Sequence, residues 1–205
     1  MTETQITSAT YDQIAADYAA RSPGADPNTL ATIRQRFTAL LAPGARVLDV
    51  GCGPGWEGAF LRDLGLRAYG LDRSRGMLAE ARGLRLPLML ADMRALPLPG
   101  SSLDGLWASA SFLHIPKRDG PAVLREFCRV LRQGGALYIG VKEGDGERWV
   151  EQRPGHQRFF AFYQPEELDA LLAAHGFAVI ERWLDTDSLG RPERWINRIA
   201  TLKSR

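Results

Sequence analysis

The sequence predicts an α/β fold: a doubly wound, mostly parallel sheet of seven strands that ends in an antiparallel hairpin. Two observations predict it. Aliphatic runs of strand length alternate with helical segments, and turns that contain glycine or proline separate them. Repeated strand, helix and strand units give parallel neighbours joined by right-handed crossovers. The predicted strands cover 46–50, 67–71, 86–91, 103–108, 136–141, 177–184 and 194–202.

Apolar residues at helical spacing predict six helices, two of them ahead of the first strand. Pro165 fits the first turn of the last helix, and Glu166 and Glu167 there are favourable to the helix dipole. The segment 142–164 is polar and aromatic without a clear period, which at this length is typical of a functional loop or lid. The predicted helices cover 7–21, 27–41, 56–64, 74–81, 121–131 and 165–175.

Composition restricts the class of protein. The 205 residues are 45% hydrophobic and 24% charged, which fits one globular domain with a substantial core. A net charge of +2 is too small to indicate a nucleic-acid partner. Residues 1–20 lack the basic start and apolar run of a secretory signal, and no segment has the ~18 apolar residues of a membrane span. We therefore expect a cytoplasmic protein with no membrane partner.

The cysteines and histidines show no pattern of a covalent or metal framework. Cys52 and Cys128 are the two cysteines, and the three histidines are scattered along the chain. Because no C-x-x-C pattern or histidine pair accompanies them, the sequence predicts neither a disulfide nor a metal site. We expect both cysteines to be packing residues.

A glycine-rich turn follows the first predicted strand. Residues 47–55 read V-L-D-V-G-C-G-P-G, with glycine at every second position from Gly51 to Gly55. Such a turn lets an extended ligand lie against bare backbone, next to the unpaired N–H groups of a helix start. Trp56 replaces the third glycine of a dinucleotide-binding G-x-G-x-x-G pattern, and Asp49 would repel a pyrophosphate. The turn therefore disfavours an NAD-dependent oxidoreductase and suits a ligand with ammonium or sulfonium charge.

The stretch from Asp49 to Gly55 resembles the D/E-x-G-x-G-x-G loop of the class I S-adenosylmethionine-dependent methyltransferases, in particular those of types 11 and 25. Four more segments resemble that family: Y-D-Q-I-A-A-D-Y at 11–18, L-A-D-M-R-A-L-P at 90–97, S-L-D-G-L-W-A-S-A-S-F-L-H-I at 102–115 and R-V-L-R-Q-G-G at 129–135. The resemblance implies a Rossmann-like fold, with S-adenosyl-L-methionine as cofactor and S-adenosyl-L-homocysteine as product. It also implies that the N-terminal helices close over the cofactor site.

This resemblance gives the expected organisation of the chain. We expect a single methyltransferase domain over 1–205. It comprises an N-terminal helical cap at 1–44, a cofactor-binding core at 45–141, and a lid loop, helix and C-terminal hairpin at 142–205.

The resemblance also assigns cofactor roles to acids at strand ends. Asp72 stands about 20 residues beyond the glycine turn, where an acid accepts hydrogen bonds from ribose hydroxyls. The alternative is that Asp72 caps the helix that begins near Ser74. Asp92 is expected to accept from the adenine amine, although an ordinary strand-end acid is the alternative. The full expected cofactor-binding set is Tyr11, Tyr18, Asp49, Gly51, Cys52, Gly53, Asp72, Arg73, Asp92, Met93 and Ser109.

The methyl acceptor is expected on the same rim. His114 follows the fourth strand and can exchange a proton near neutral pH, so it is the catalytic candidate, which binds the acceptor or takes its proton; the alternative is a histidine that caps or packs beside Pro116. Lys142, Arg158 and Tyr163 are candidates for binding a planar or anionic acceptor, and the alternative is a satellite core under solvated arginines.

The predicted function is methyl transfer to a small-molecule acceptor by in-line displacement, in a monomer or homodimer. RNA or protein methylation and a non-catalytic S-adenosylmethionine-binding protein stay open as alternatives. The stretch after the fourth strand, A-S-A-S at 108–111, lacks the N-P-P-Y motif of base-modifying relatives, which weakens the nucleic-acid alternative.

Overall fold

A computed structural model describes residues 1–21, 27–186 and 194–204. Its main sheet has seven strands in the order β3-β2-β1-β4-β5-β9-β8, and the last two pairings, β5 with β9 and β8 with β9, are antiparallel. A second sheet pairs β6 with β7. The strands are β1 Arg46–Val50, β2 Arg67–Asp72, β3 Leu88–Leu90, β4 Leu103–Ser109, β5 Leu131–Lys142, β6 Glu147–Arg153, β7 His156–Ala161, β8 Phe177–Thr186 and β9 Arg194–Leu202.

Helices cover the main sheet and lie along the edge formed by the carboxyl ends of its parallel strands. They are α1 Glu3–Arg21, α2 Pro27–Thr38, α3 Trp56–Asp63, α4 Arg75–Ala81, α5 Gly120–Val130 and α6 Pro165–Ala174, with short 3₁₀ turns at 82–84, 112–114 and 117–119. The side chain of Ser74 caps α4 by accepting from the backbone N–H of Met77, and Gln164 and Glu167 form a capping box at the start of α6. The predicted fold class is confirmed.

The core has one layer on each face of the main sheet. Val47 and Leu48, neighbours on β1, are fully buried on opposite faces, as expected of a central parallel strand covered by helices on both sides. Leu48 packs in the layer that contains Phe127 of α5, and Val47 packs in the layer that contains Phe37 of α2. Burial on both faces explains why the strands appear in the sequence as continuous aliphatic runs.

The predicted boundaries hold within a few residues, with two exceptions. β3 is only three residues long, Leu88–Leu90, because Pro87 lacks the N–H that would extend the ladder. The carbonyl of Pro87 still accepts from Gly70 at 2.9 Å. β5 begins at Leu131 rather than near 136, because Leu131 already pairs with Leu103 ahead of a register shift.

The segment predicted as a lid loop, 142–164, contains the β6–β7 hairpin instead. Its register pairs Trp149 with Phe159 and Arg148 with Phe160. Every residue from 159 to 163 is buried, so this stretch has no alternation of apolar and polar residues. Within 159–163, burial is the physical cause of the missing period that indicated a loop in the sequence.

Candidate functional site

Three acids lie at the carboxyl ends of neighbouring strands. Asp49 is near the end of β1, Asp72 is the last residue of β2, and Asp92 follows β3 by two residues. The parallel register pairs Asp49 with Gly70 and Asp72 with Leu90. The three carboxylates therefore share one edge of the sheet, the edge at which open α/β sheets bind ligands.

The glycine turn closes tightly onto this edge. The backbone N–H groups of Gly51 and Cys52 donate to the carbonyl of Leu71 at 2.7 and 2.9 Å. Gly51 has φ +72°, and a Cβ placed there would lie 2.4 Å from the Cβ of Ser111. Gly53 has φ +52°, and a Cβ there would meet no atom of the described residues within 4 Å. Gly51 is thus required for packing, whereas Gly53 presents bare backbone to open space.

Asp49 is buried beneath the turn. Its Oδ2 accepts from the backbone N–H of Gly58, in the first turn of α3, at 2.9 Å. Burial, followed by the negative charges of Glu57 and Asp72, raises the pKa of Asp49 well above its usual range. A cationic ligand group beside Asp49 would stabilise its ionised form. Cys52 lies next to it, and burial raises the pKa of that thiol, so it is not a reactive nucleophile.

Asp72 joins the turn to the next helix. Its Oδ2 accepts from Gly53 and its Oδ1 from the backbone N–H of Ser74, both at 2.8 Å. Burial raises the pKa of Asp72 despite these hydrogen bonds. Each carboxylate oxygen accepts one hydrogen bond here and has a second lone pair. The contact with Ser74 at the start of α4, expected of a capping residue, is therefore compatible with ribose binding.

Asp92 is held by two arginines. Arg94 donates to it from its backbone N–H and its guanidinium, and a guanidinium nitrogen of Arg73 also contacts Oδ2. Burial opposes ionisation, but the hydrogen bonds and charges of Arg94 and Arg73 outweigh it and lower the pKa of Asp92. Met93, the next residue, packs partly buried against the core. Asp92 is therefore an ionised carboxylate in the structure.

Helix α1 lies across this rim and contacts both sides of it. On one side, Oδ1 of Asp12 accepts from Ser74 Oγ at 2.7 Å and from the Gly76 backbone N–H at 2.8 Å. On the other side, Thr10 Oγ1 donates to the carbonyl of Gln157 of β7 at 2.7 Å. The expected position of the N-terminal helix over the site agrees with these contacts.

Tyr11 on α1 is part of a buried hydrogen-bond chain. Arg158 donates to its hydroxyl at 2.9 Å, and the hydroxyl lies 2.9 Å from Nε2 of His114. Nδ1 of His114 is 2.7 Å from the carbonyl of Phe159, which can only accept, so Nδ1 carries the proton and Nε2 accepts from Tyr11. Tyr11, predicted among the cofactor residues, thus contacts the candidate acceptor residues His114 and Arg158. Tyr18 stacks on Trp56 beside the glycine turn.

The environment of His114 keeps its ring neutral. Burial, with smaller effects from the positive charges of Arg158 and Lys142, lowers the pKa of His114 to about 3, although the contact with Phe159 opposes this. Lys142 and Arg158 are both buried, and each lies 5.3 Å from the ring centroid of Phe160. The ring centroid of His114 lies 4.6 Å from that of Phe160, so three of the four predicted acceptor residues lie near one aromatic ring.

Two further predicted residues, Ser109 and Tyr163, lie at the margins of the site. Ser109, the last residue of β4, lies near the hydroxyl of Tyr138, which donates to Asn197 Oδ1 at 2.7 Å. Tyr163 is buried against Phe112, and burial raises the pKa of its hydroxyl, which has no hydrogen-bond partner among the described residues. Both roles stay predictions.

Sequence reasoning missed two residues of this rim. Ser111 is buried beside Gly51, and its Oγ has no hydrogen-bond partner within the described part of the chain. Ala110, just before it, has φ +52°, a strained value for a residue with a side chain. Asp12 is the second; its place after Tyr11 in the N-terminal motif could have drawn attention to it. Nothing in the local pattern marks Ser111.

These residues fit S-adenosylmethionine. Buried Asp49 suits a cationic end of the ligand, Asp72 keeps acceptor capacity for a diol, and Gly53 leaves space along the backbone. Over 1–21, 27–186 and 194–204, no cluster of three or more histidine, cysteine or acidic residues could hold a metal. Across the same residues no helix is both long and apolar enough to cross a bilayer.

Comparison with known proteins agrees with this geometry. Residues 48–139 match the family model described as a methyltransferase domain. The chain is 41% identical over 132 residues to methyltransferase GfsG of Streptomyces halstedii. That match covers 56% of this chain and 47% of the relative. The chain is also 33% identical over 138 residues to the malonyl-[acyl-carrier protein] O-methyltransferase of Enterobacter lignolyticus, covering 63% of this chain and 53% of the relative. The chain thus spans about half the length of these curated relatives.

A solved structure extends the similarity to the whole fold. The 1,6-didemethyltoxoflavin-N1-methyltransferase of Burkholderia thailandensis, solved with S-adenosylhomocysteine, superposes with a TM-score of 0.78 at 21% identity. The match covers 98% of this chain and 88% of that one. On the strand order and these similarities, residues 48–139 match a methyltransferase domain, and the chain has the Rossmann-like fold of S-adenosylmethionine-dependent methyltransferases.

Proposed function

We propose that the chain transfers a methyl group from S-adenosylmethionine to a small-molecule acceptor. The observation that carries this proposal is the meeting of Asp49, Asp72 and Asp92 beside the bare backbone of Gly53. S-adenosylmethionine supplies an electrophilic methyl group on a sulfonium. The residues of the chain bind the reactants, align them and exclude water, and such alignment contributes about 7 to 11 kcal/mol to rate enhancement.

The acceptor site that we propose lies between α1, β7 and the end of β5. Lys142 and Arg158 supply two positive charges, each 5.3 Å from the centroid of the Phe160 ring, which supports an acceptor that carries an anionic group. The relatives named for malonyl-[acyl-carrier protein] O-methylation give that idea a chemical precedent, since a malonyl group bears a carboxylate.

His114 is proposed to orient the acceptor through Tyr11. Before the acceptor binds, His114 is not proposed to act as the base that removes the acceptor's proton. Both ring nitrogens already have partners, and a pKa of about 3 makes His114 a weak base at neutral pH. An anionic acceptor near Lys142 and Arg158 would offset their charges and raise the pKa of His114. Acceptor binding itself would then increase the basicity of the ring.

Ligand-dependent unfolding tests the cofactor. At 100 times its dissociation constant, S-adenosylhomocysteine adds about 2.7 kcal/mol to the free energy of unfolding. For a domain of this size, each kcal/mol raises the midpoint by roughly 2 to 4 °C. We expect a rise of several degrees with S-adenosylhomocysteine and none with NAD. A rise with NAD alone would overturn the proposal.

A matched pair of variants locates the binding site. Asp49→Asn removes the buried carboxylate and should abolish most of the stabilisation by S-adenosylhomocysteine. Asp63→Asn removes an exposed carboxylate paired with Arg62 and should leave the stabilisation intact. Equal stabilisation of both variants would contradict the placement of the ligand at the rim.

Transfer of labelled methyl groups to fractionated metabolite pools tests the reaction. We expect label in a small anionic product, and loss of transfer at low acceptor concentration in Lys142→Met. Label recovered in RNA or protein would favour the macromolecular alternatives. Tight cofactor binding without transfer to any pool would favour a non-catalytic binding protein.

A further inference from the structure

The acceptor capacity of the Asp92 carboxylate is fully used within the described residues. Oδ1 accepts from the backbone N–H and the Nε of Arg94, at 2.9 and 3.0 Å. Oδ2 accepts from Nη2 of Arg94 at 2.8 Å and from Nη1 of Arg73. A carboxylate offers about four lone-pair positions, so these four donors fill them. Any further donor has to replace one of the four.

The two arginines are not held equally. Arg94 also donates to Asp119 at 2.7 Å and to Thr4 Oγ1 at 3.0 Å. Arg73 contacts Asp92 through a single nitrogen, reaches Thr4 Oγ1 only at 3.5 Å, and has the more exposed side chain, 35% against 26%. Partly exposed ion pairs held by a single contact contribute little to stability. Arg73 is therefore the donor whose departure from Asp92 costs least.

We propose that Arg73 is a displaceable counter-ion of Asp92, which the adenine amine of the cofactor replaces when it binds. This inference rests on the proposed function, in which Asp92 accepts from that amine. Arg73 then competes with the ligand for the carboxylate. It lowers cofactor affinity and weakens the preference for adenine, because its guanidinium can also donate to a base that carries a carbonyl in place of the amine.

The backbone of Arg73 stays fixed during this exchange. Its carbonyl accepts from Ser8 Oγ of α1 at 3.1 Å, and the neighbouring Ser74 binds Asp12 of the same helix. Arg94 keeps its own bond to Thr4 when Arg73 leaves. Only the side chain of Arg73 has to move, so displacement does not require α1 to open.

The test measures the affinity of the chain for S-adenosylhomocysteine by calorimetry. Arg73→Met keeps an apolar stem and removes the guanidinium, and Arg73→Ala removes the stem as well. The control, Arg132→Met, removes an arginine paired with Asp104 at the start of β4, away from the rim. We expect both Arg73 variants to bind about two- to five-fold more tightly than wild type, and the control to bind like wild type.

Two further measurements separate displacement from a general charge effect. S-inosylhomocysteine replaces the adenine amine by a carbonyl, so the preference for the adenosyl ligand should rise at least about two-fold in Arg73→Met. High salt screens the half-exposed Arg73–Asp92 pair, so the affinity gap between wild type and Arg73→Met should narrow between low and high salt. Unfolding midpoints of the variants confirm that they fold.

The outcomes distinguish this inference from the proposed function. If wild type binds S-adenosylhomocysteine and neither Arg73 variant binds it more tightly, the inference is overturned and the proposed function stands. If wild type does not bind S-adenosylhomocysteine at all, both are overturned. Tighter binding by Arg132→Met to the same extent would also overturn the inference, because net charge would then explain the gain.

Discussion

Acidification should destabilise the protein through His114, and the effect can be isolated with one variant. Burial and the nearby charges of Arg158 and Lys142 lower the pKa of His114 to about 3 in the folded protein, whereas an unfolded chain has an ordinary histidine pKa of about 6.5. The folded-state pKa lies below the unfolded one. The contribution of neutral His114 to the free energy of unfolding is therefore complete above about pH 6.5, and it is lost as the pH falls towards about 3.

The size of the effect follows from the pH interval. One pKa unit corresponds to about 1.36 kcal/mol, and pH 5 lies about 1.5 units below the unfolded pKa. Between pH 7 and 5 the unfolded state gains a proton at His114 that the folded state does not, which costs about 2 kcal/mol. His114→Gln removes this titration. The stability of wild type relative to the variant should therefore fall by about 2 kcal/mol over the interval.

Urea unfolding of both proteins at pH 7, 6 and 5 measures this difference, with equal m-values as the check that both transitions are comparable. Asp49 and Asp72, whose pKa values are raised, titrate in both proteins, so subtraction removes most of their contribution. A difference between wild type and variant that does not change with pH would refute the conclusion that the structure holds the ring neutral.

Four other substitutions have expected outcomes. Gly51→Ala should lower the free energy of unfolding by more than about 2 kcal/mol, because a Cβ there meets Ser111, whereas Gly44→Ala, at φ +73° with no atom of the described residues within 4 Å of a Cβ, should cost only about 1 kcal/mol; urea unfolding compares them. Asp12→Ala should weaken the docking of α1 by about 1 to 3 kcal/mol, seen as faster hydrogen exchange over 3–21, and unchanged exchange would contradict this. Tyr11→Phe should cost about 1 to 3 kcal/mol of stability, because the buried Nε2 of His114 loses its donor and Arg158 loses one of its hydrogen bonds, and a neutral result in urea would show that Nε2 finds another donor.

The sequence predicts the parts of this protein that depend on local order. Strands buried on both faces appear as aliphatic runs, and the turn at Gly51 and Gly53 is encoded by neighbouring residues. The partners of the site residues depend instead on long-range contacts. Tyr11 meets His114 across 103 positions and Arg158 across 147, so no local pattern could assign it to the acceptor side.

The same limit applies at Asp92. Its position after β3 was predicted from the motif, and the structure adds that two arginines neutralise it. The spacing of Asp92, Arg94 and Arg73 does not reveal how donors divide between the two oxygens. The β6–β7 hairpin was missed for a related reason, because burial of both its faces near 159–163 erased the alternation by which a strand is recognised.

Helix α1 is one continuous helix with attachments to both sides of the rim. Asp12 and Ser8 attach it to the loop after β2, and Thr7 and Thr10 attach it to β7. Because one helix makes both sets of contacts, it cannot leave the loop after β2 without straining its hydrogen bonds to β7. On the proposed function, departure of S-adenosylhomocysteine and of the methylated product should depend on one common opening event, so that both release rates respond together to any substitution on the polar face of α1.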